Sequence, residues 1–418
     1  MLACSKNYLL HDKYLSLSFS SESCLLSLVD CAKSCIYMKF PNFSFSLFVS
    51  SVLSFLFGSR EEVPMAERKR VVVVGGGVGG SLVAKNLESH ADVTLIDPKE
   101  YYEVPYAQMR CIVEPSMAER SVLKHSEYLK TAHIVQSAAE SVSGSEVVTE
   151  SGERVPFDFL VITTGTTYSG PSTKAERVKL YEADKEKIVA ADHVLVIGGG
   201  PVGVELVGEI VVDFPDKKVT LVHSGKRLLE FLGTKVSDKT LKWLQSKKNV
   251  EVILNDRIAL EGLTGPEYVT KNGTHIKADA HFVCIGKRVG SSWLQSSDLS
   301  QLIDEEGRLK VDANMRLEGQ SNIFAVGDIA NTKEIKQGYL AGKQADVVVD
   351  NIKRLIKNSK APKLAEYKPL TSPLGLVSLG RYEGVAQFPI VTLIGRLPGM
   401  LKSGDLFVGK ARGSLGVK

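Results

Sequence analysis

The stretch RVVVVGGGVGG, residues 70–80, decides the fold of this chain. Its consecutive valines predict a buried parallel strand that runs into a tight turn, and a helix follows over residues 78–89. The turn carries Gly75, Gly77 and Gly80 in the spacing GxGxxG. The first glycine makes the turn, the second lets the backbone approach a pyrophosphate, and the third lets the helix pack on the sheet. The stretch therefore predicts a dinucleotide-binding fold.

An acidic residue and a second copy of the motif extend this prediction. The next strand, VTLID, ends in Asp97, 20 residues beyond the second glycine, where a carboxylate accepts hydrogen bonds from ribose hydroxyls. The stretch HVLVIGGGPVG, residues 193–203, repeats the pattern with Gly198, Gly200 and Gly203. Two dinucleotide folds in one chain indicate two different dinucleotides, a hydride donor and a resident redox cofactor that meet between them.

Two later segments complete a known pattern. FDFLVITTG, residues 157–165, is a strand that ends in a small-residue turn, and NIFAVGD, residues 322–328, is a strand that ends in Gly-Asp. Together with LIDPKEYYEVPYAQMR, GGGPVGVELVGEI and the tail TSPLGLVSLG, they make the chain resemble the pyridine nucleotide-disulfide oxidoreductase superfamily. Within it the chain resembles the apoptosis-inducing-factor-like, ferroptosis-suppressor group, in a plant-type form. The resemblance implies an α/β fold with two Rossmann-like dinucleotide-binding domains and a small C-terminal domain.

The resemblance also implies roles for residues of the first fold. The glycine loop would hold the FAD pyrophosphate, Asp97 the adenosine ribose, and Val135 the adenine through its backbone. Arg110 matches a flavin-contacting arginine, with a surface salt bridge as the alternative. Asp328 would hold the ribityl chain, with a solvated loop acid as the alternative. The expected FAD-binding set is Gly75, Gly76, Gly77, Val78, Gly79, Gly80, Asp97, Arg110, Val135, Thr164, Gly165, Gly327 and Asp328.

For the second fold the resemblance implies that NADH or NADPH binds at the second glycine loop. Glu205 resembles a glutamate near the nicotinamide in related dehydrogenases and is the one candidate catalytic side chain. Glu209, one helical turn later, is interpreted as an exposed helix carboxylate. The following strand ends in His223, without the acid that NAD specificity usually requires, so Lys226 or Arg227 would be able to bind a 2′-phosphate. Either nicotinamide dinucleotide should therefore serve as donor.

Disulfide reductases of the superfamily carry a CxxxxC pair beside the flavin, and this chain has no such pair there. Cys111 is alone in that region and Cys284 lies far along the chain, so both are interpreted as ordinary core cysteines. Electrons would then pass from the flavin straight to an external acceptor. The sequence contains no metal-binding motif, and none of its eight histidines is assigned a catalytic role.

Composition distinguishes the two ends of the chain from this body. The 418 residues include 52 Lys or Arg and 48 Asp or Glu, and a net charge of +4 disfavours nucleic acid as the main partner. Residues 1–64 are serine-rich and nearly uncharged; an artefactual or alternative start ahead of Met65, a transit peptide and a weak signal anchor stay open. Residues 371–418 mix apolar segments with basic side chains, which suits an anionic membrane surface, with an ordinary capping domain on the flavin face as the alternative. These basic residues are Arg381, Arg396, Lys402, Lys410, Arg412 and Lys418.

The sequence predicts a leader at 1–64, an FAD-binding domain at 65–190 with a return segment at 316–345, a nicotinamide-binding domain at 191–315, and a C-terminal interface domain at 346–418. The predicted function is electron transfer from NAD(P)H through FAD to a quinone. The protein is expected in the cytoplasm at a membrane surface, with import into an organelle through the leader left open. Two alternatives are a soluble reductase of a radical acceptor such as monodehydroascorbate, and a cell-death regulator that binds FAD and NADH.

Overall fold

The structure, a computed structural model, describes residues 68–357, 362–372 and 374–418. The interpretations given to residues 1–64 lie outside the described residues. In chain order the strands are β1 Arg70–Val74, β2 Asp92–Ile96, β3 Tyr101–Glu103, β4 Val122–Lys124, β5 His133–Val135, β6 Ala139–Ser143, β7 Glu146–Thr149, β8 Arg154–Pro156, β9 Phe159–Ile162, β10 His193–Ile197, β11 Lys218–Val222, β12 Val250–Ile253, β13 Glu267–Val269, β14 His275–Lys277, β15 Ala280–Val283, β16 Ile323–Ala325, β17 Gly375–Leu379, β18 Glu383–Gln387 and β19 Thr392–Gly395. The α-helices are α1 Val78–Leu87, α2 Gln108–Val113, α3 Ala118–Ser121, α4 His125–Tyr128, α5 Lys174–Ala190, α6 Pro201–Asp213, α7 Thr234–Gln245, α8 Gly338–Lys357, α9 Arg396–Lys402 and α10 Val408–Ser414.

The first glycine turn lies at the carboxyl end of β1, in a five-stranded parallel sheet of order β16–β9–β1–β2–β5. The valines of β1 are all buried, as expected for a β-branched strand with a neighbour on each side and helices over its faces. Helix α1 begins at Val78, directly after the turn, and α8 packs against it. Because α8 is one continuous helix, the return segment of this fold extends to Lys357, past the predicted boundary at residues 345 and 346.

The second glycine turn repeats this geometry in a four-stranded parallel sheet of order β12–β11–β10–β15. Strand β10 ends at Ile197, and α6 begins at Pro201, whose fixed φ and missing N–H suit the first position of a helix. Helix α6 is buried from Gly203 to Val211, because strand β17 packs against it in addition to its own sheet. The predicted α/β fold with two dinucleotide-binding units is confirmed.

A small C-terminal unit covers α6. Its strands form an antiparallel sheet of order β17–β18–β19, and α9 packs across that sheet. A Cβ atom at Gly399 in α9 would overlap with the carbonyl oxygen of Tyr382, so only glycine allows this close approach of helix and strand. In the described part of the chain, no helix is long and apolar enough to cross a membrane.

Candidate functional site

The glycines of the first turn form a cradle that is closed on one side and open on the other. A Cβ atom at Gly75 would lie 2.7 Å from the carbonyl oxygen of Thr163, and one at Gly80 would overlap with the carbonyl oxygen of Gly75. A Cβ atom at Gly77 would meet no atom within 4 Å. Gly77 is also the N-cap of α1, whose first N–H groups have no acceptor within the helix. The open side therefore fits a pyrophosphate.

The second turn has the same construction. A Cβ atom at Gly198 would overlap with the backbone of Cys284, and one at Gly203 would overlap with Gly198. Gly200, the N-cap of α6, again faces open space, with no atom within 4 Å of an added Cβ. The structure thus contains two cradles of the same shape, one in each parallel sheet, and each fits the pyrophosphate of a dinucleotide.

Asp97 stands at the predicted ribose position and also supports the loop. Its side chain is buried, Oδ2 accepts a hydrogen bond from the backbone N–H of Gly76, and Oδ1 accepts one from the N–H of Lys99 at 2.7 Å. The backbone N–H of Asp97 donates to the carbonyl oxygen of Val135 at 3.1 Å, which places the expected adenine and ribose positions side by side at the sheet edge. The ribose and adenine contacts themselves stay predictions.

His125, which was assigned no catalytic role from the sequence, lies against this loop. The side chain is fully buried; Nδ1 lies 2.7 Å from the hydroxyl of Tyr128, which donates onward to Ser81 Oγ at 2.8 Å. Nε2 has no hydrogen-bond partner among the described residues and lies 2.6 Å from where a Cβ of Gly76 would be. Burial lowers the pKa of His125 to about 4, so the ring is neutral at physiological pH. Because His125 belongs to no recognisable motif, the sequence contains no signal that would identify it as a buried, neutral histidine.

The flavin is expected to lie where the chain leaves β9 and β16. Thr164 Oγ1 donates to the carbonyl oxygen of Gly290 at 2.6 Å, and the N–H of Gly327 donates to Gln344 Oε1 at 2.7 Å. The carboxylate of Asp328 is partly buried and accepts no hydrogen bond from the described residues, and burial raises its pKa. A half-buried carboxylate with free acceptors fits the hydroxyl groups of a ribityl chain.

Arg110 forms a buried ion pair with Glu209. Arg110 Nε and Nη2 donate to the two carboxylate oxygens of Glu209 at 2.6 and 2.9 Å, and Nη2 also donates to the carbonyl oxygen of Ser403 at 3.1 Å. The interpretation of Glu209 as an exposed carboxylate is wrong, since it is 1% exposed. Glu205, Glu209 and Asp213 recur every four residues along this helix, the spacing of an acidic helix face, so the sequence alone favoured exposure. For Arg110, only Nη1 lacks a protein acceptor among the described residues, so a flavin contact would have to use that nitrogen.

Glu205 is paired with Lys402 of the C-terminal unit. The Lys402 ammonium contacts Glu205 Oε1, which also accepts a hydrogen bond from the N–H of Ser378 at 3.0 Å. Lys402 is 5% exposed, so its assignment to the basic surface is wrong. Its Nζ lies 5.6 Å from the ring centroid of Tyr106, and that ring meets Phe407 edge to face with centroids 5.5 Å apart. The candidate catalytic carboxylate is therefore part of a buried ion pair beside the ring of Tyr106.

Neither cysteine of the described residues has the surroundings of a reactive thiol. Cys111 is fully buried with Sγ 3.3 Å from Ser121 Oγ, and Cys284 belongs to the second fold, behind its glycine loop. Burial raises the pKa of both thiols to about 12, which disfavours the nucleophilic thiolate. The two side chains fit the interpretation as core cysteines.

The C-terminal unit exposes fewer cations than the sequence suggested. Arg381 is paired with Asp213 through Nε and Nη2, the former at 2.9 Å, and Lys402 is buried as described. Arg396 and Lys410 are exposed and have no ion pair among the described residues.

The same unit exposes large apolar side chains. Ile390, at the tip of the β18–β19 hairpin, is 98% exposed, and Met400 on α9 is 79% exposed. Leu397 and Leu401 lie on the same side of α9 as Met400, because residues three and four apart share one helix face. We call these exposed side chains the apolar surface of the C-terminal unit. This surface consists of Tyr382, Ile390, Val391, Leu397, Met400 and Leu401.

Comparison with known proteins agrees with this geometry. Residues 69–345 match the family model described as pyridine nucleotide-disulphide oxidoreductase. Apoptosis-inducing factor homolog B of Dictyostelium discoideum is 32% identical over 375 residues, covering 82% of this chain and 96% of that protein. Ferroptosis suppressor protein 1 of Mus musculus is 33% identical over 357 residues, covering 81% of this chain and 93% of that protein.

A solved structure shows the same fold at lower identity. The sulfide:quinone oxidoreductase of Aquifex aeolicus matches with a TM-score of 0.66 and 20% identity, covering 83% of this chain and 92% of that one. These similarities confirm the predicted family resemblance and fold, and with them FAD and a nicotinamide dinucleotide as the two cofactors.

Proposed function

The chain belongs to the pyridine nucleotide-disulphide oxidoreductase family, and from this premise we propose that it passes electrons from NAD(P)H through FAD to a quinone at a membrane surface. The observation that carries the proposal is a pair of dinucleotide cradles in a chain whose two described thiols lie in separate folds, with Cys111 buried and Cys284 half-buried. Bound FAD would supply the hydride and electron chemistry. This chain would bind and orient both dinucleotides and exclude water between them.

The state of the two thiols supports an external acceptor. A dithiol relay needs two cysteines close together and at least one accessible thiolate. Cys111 is hydrogen-bonded to Ser121 inside the first fold, whereas Cys284 lies behind the glycine loop of the second fold. Electrons would therefore leave the site for a diffusible molecule rather than for a protein disulfide.

The buried ion pair supplies groups that can hold a proton. Reduction of a quinone to a quinol takes up two protons along with two electrons. Lys402 and Glu205 form a buried ammonium–carboxylate pair beside the Tyr106 ring. Burial raises the pKa of Tyr106 to about 12, so its hydroxyl keeps its proton at neutral pH. We propose that the Lys402–Glu205 pair positions the protons that the quinone takes up.

The apolar surface of the C-terminal unit supports a membrane location. Long-chain quinones are dissolved in the bilayer, so an enzyme that uses them benefits from an apolar contact with lipid. The exposed side chains of Ile390 and Met400 offer such a contact, and the cations of Arg396 and Lys410 would add attraction to anionic headgroups.

The test is steady-state NADH oxidation by the FAD-loaded chain with a water-soluble short-chain quinone, with monodehydroascorbate as a second acceptor. We expect quinone turnover, and we expect the double variant Cys111→Ser, Cys284→Ser to keep most of it. FAD content, read from the absorption spectrum, is the control for intact folding. Collapse of turnover with FAD still bound would establish a thiol relay and overturn this mechanism.

The same measurement separates the alternatives. Faster turnover with monodehydroascorbate than with any quinone would favour the radical reductase. Binding of NADH to the FAD-loaded chain without turnover of either acceptor would favour the regulatory function.

A further inference from the structure

The end of β11 lacks the acid that β2 has, and a histidine takes its structural place. His223 follows β11 directly, and its Nδ1 accepts a hydrogen bond from the N–H of Gly199 at 3.1 Å. The imidazole thus supports the second glycine loop but offers no carboxylate to a ribose. The group that faces the ribose 2′ position of the donor must therefore come from residues after the strand.

Arg227, one of the two cations that follow β11, is already engaged. Its Nη1 donates to the carbonyl oxygen of Leu232 at 2.7 Å and to Ser237 Oγ at 3.0 Å, and its Nη2 donates to the carbonyl oxygen of Glu230 at 2.8 Å. These bonds fix the segment ahead of α7. They leave only Nε–H and one N–H of Nη2 without an acceptor among the described residues, so Arg227 has less to offer a 2′-phosphate than a free guanidinium.

The carboxylate of Glu230 lies close to the end of β11. A Cβ atom at Gly225 would lie 2.6 Å from the carboxylate carbon and from both oxygens of Glu230, and Glu230 Oε1 accepts a hydrogen bond from the N–H of Lys226 at 3.1 Å. The preceding N–H, that of Leu229, donates to the carbonyl oxygen of Gly199 at 3.0 Å. The segment that carries Glu230 is therefore bonded to the glycine loop itself, and the carboxylate lies over the turn that follows the strand.

We propose that Glu230 recognises the ribose 2′ position of the nicotinamide dinucleotide and makes this site prefer NADH to NADPH. The inference rests on the proposed function, because it takes the second cradle as the donor site. A carboxylate accepts a hydrogen bond from a 2′-hydroxyl and repels a 2′-phosphate, which carries between one and two negative charges at neutral pH. The position beside Gly225 suits both effects.

Lys226 opposes this preference without removing it. Its side chain is exposed and makes no hydrogen bond or ion pair with the described residues, so it can approach a 2′-phosphate. Both Lys226 and Glu230 are exposed to solvent, which weakens the interaction of each with the ligand. We therefore expect a preference of roughly tenfold, which corresponds to about 1.4 kcal/mol, rather than exclusion of NADPH.

The test is calorimetric binding of ADP-ribose and of 2′-phospho-ADP-ribose to the full chain saturated with FAD, at low ionic strength. FAD saturation keeps both probes out of the first cradle, and neither probe can be oxidised or reduced. The wild-type chain should bind ADP-ribose about tenfold more tightly. Glu230→Gln should bind both probes with similar affinity, since it removes the charge but keeps an acceptor for the Lys226 N–H. The matched control is Glu261→Gln, which removes an exposed carboxylate of the same fold and should keep the wild-type ratio.

Two further measurements complete the design. Adding Lys226→Ala to Glu230→Gln should weaken binding of the 2′-phosphorylated probe and leave ADP-ribose binding unchanged. Raising the salt concentration should shrink the wild-type ratio. Equal binding of the two probes by the wild-type chain, or an unchanged ratio in Glu230→Gln, would overturn the assignment of Glu230 while the proposed function stands. Failure of both probes to bind would overturn the donor site and this inference together.

Discussion

Asp97 and His223 hold equivalent places in the two dinucleotide folds. Each directly follows the second strand of its sheet, and each accepts a hydrogen bond from the N–H of the middle glycine of its loop, Gly76 or Gly199. One acceptor is a carboxylate oxygen and the other is an imidazole nitrogen. The same loop geometry is thus maintained by two side chains of different chemistry.

The free carboxylate of Asp328 makes it the side chain whose loss should most directly release flavin. We expect Asp328→Asn to weaken FAD binding by about 1.5–3 kcal/mol, since an amide offers a poorer acceptor for ribityl hydroxyls than a carboxylate. The dissociation constant can be measured by fluorescence as FAD is titrated into the apoprotein. Glu305→Gln, an exposed carboxylate on the preceding loop, is the control and should leave the constant unchanged. Unchanged affinity in Asp328→Asn would remove this residue from the flavin site.

The Arg110–Glu209 pair should contribute to stability because both charges are buried. Glu209→Gln leaves the guanidinium without its charged partner, and we expect the free energy of unfolding to fall by about 3 kcal/mol. Urea denaturation followed by circular dichroism measures the change. The exposed pair Lys277–Glu267 is the matched control, and Glu267→Gln should cost less than about 1 kcal/mol. A loss of the same small size in both variants would mean that the buried pair stabilises no more than a surface pair.

His125 should make stability depend on pH in a defined window. Its pKa is lowered from 6.5 to about 4, so between these values the unfolded chain binds a proton that the folded chain does not. The free energy of unfolding should therefore rise with pH across this window, with a total contribution of about 3 kcal/mol. Unfolding of wild-type and His125→Asn protein at pH 4.5 and 7 measures the difference. His133→Asn, at an exposed histidine of β5, is the control and should retain the wild-type dependence of the free energy of unfolding on pH. If His125→Asn also retained that dependence, the ring of His125 would not be buried in the neutral form.

The apolar surface of the C-terminal unit should govern binding to lipid. We expect Met400→Asp and Ile390→Asp each to weaken binding to vesicles of mixed neutral and anionic lipids by at least about tenfold, because each removes an apolar side chain that the bilayer would bury. Co-sedimentation with vesicles measures binding. Val269→Asp changes a half-exposed apolar residue of the second fold and is the control. Turnover with a water-soluble quinone should stay constant in all three variants, and vesicle binding equal to wild type would show that this surface does not contact lipid.

Both dinucleotide-binding folds could be predicted from the sequence because the residues that indicate each fold lie close together along the chain. The strand, the turn and the helix around Gly77 and Gly200 lie within about a dozen residues of each other, and the outer glycines of the turns, such as Gly75 and Gly80, have a steric reason for their position. The structure reproduces both turns, and the strand that ends before Asp97 is in place.

The contacts between distant segments could not be derived in the same way. Lys402 belongs to a segment rich in basic residues, and only the packing of α9 over β17 shows that its ammonium points inward to Glu205. His125 owes its lowered pKa to burial among residues that are distant along the chain, such as Ser81, which lies 44 residues earlier (125 − 81) and accepts a hydrogen bond from Tyr128. The sequence of α6 contains no sign that Arg110, 99 residues earlier along the chain, is the cation that pairs with Glu209.

The Glu205–Lys402 pair has a consequence for the order in which the protein is made. The two residues are 197 positions apart, so a ribosome releases the carboxylate long before its cation. Until α9 has emerged, α6 would have to stay partly solvated or leave a charged group without a partner in the interior. Strand β17, which covers α6, is also synthesised late. The second fold can therefore form its sheet during translation, but the final packing of α6 waits for β17 and α9.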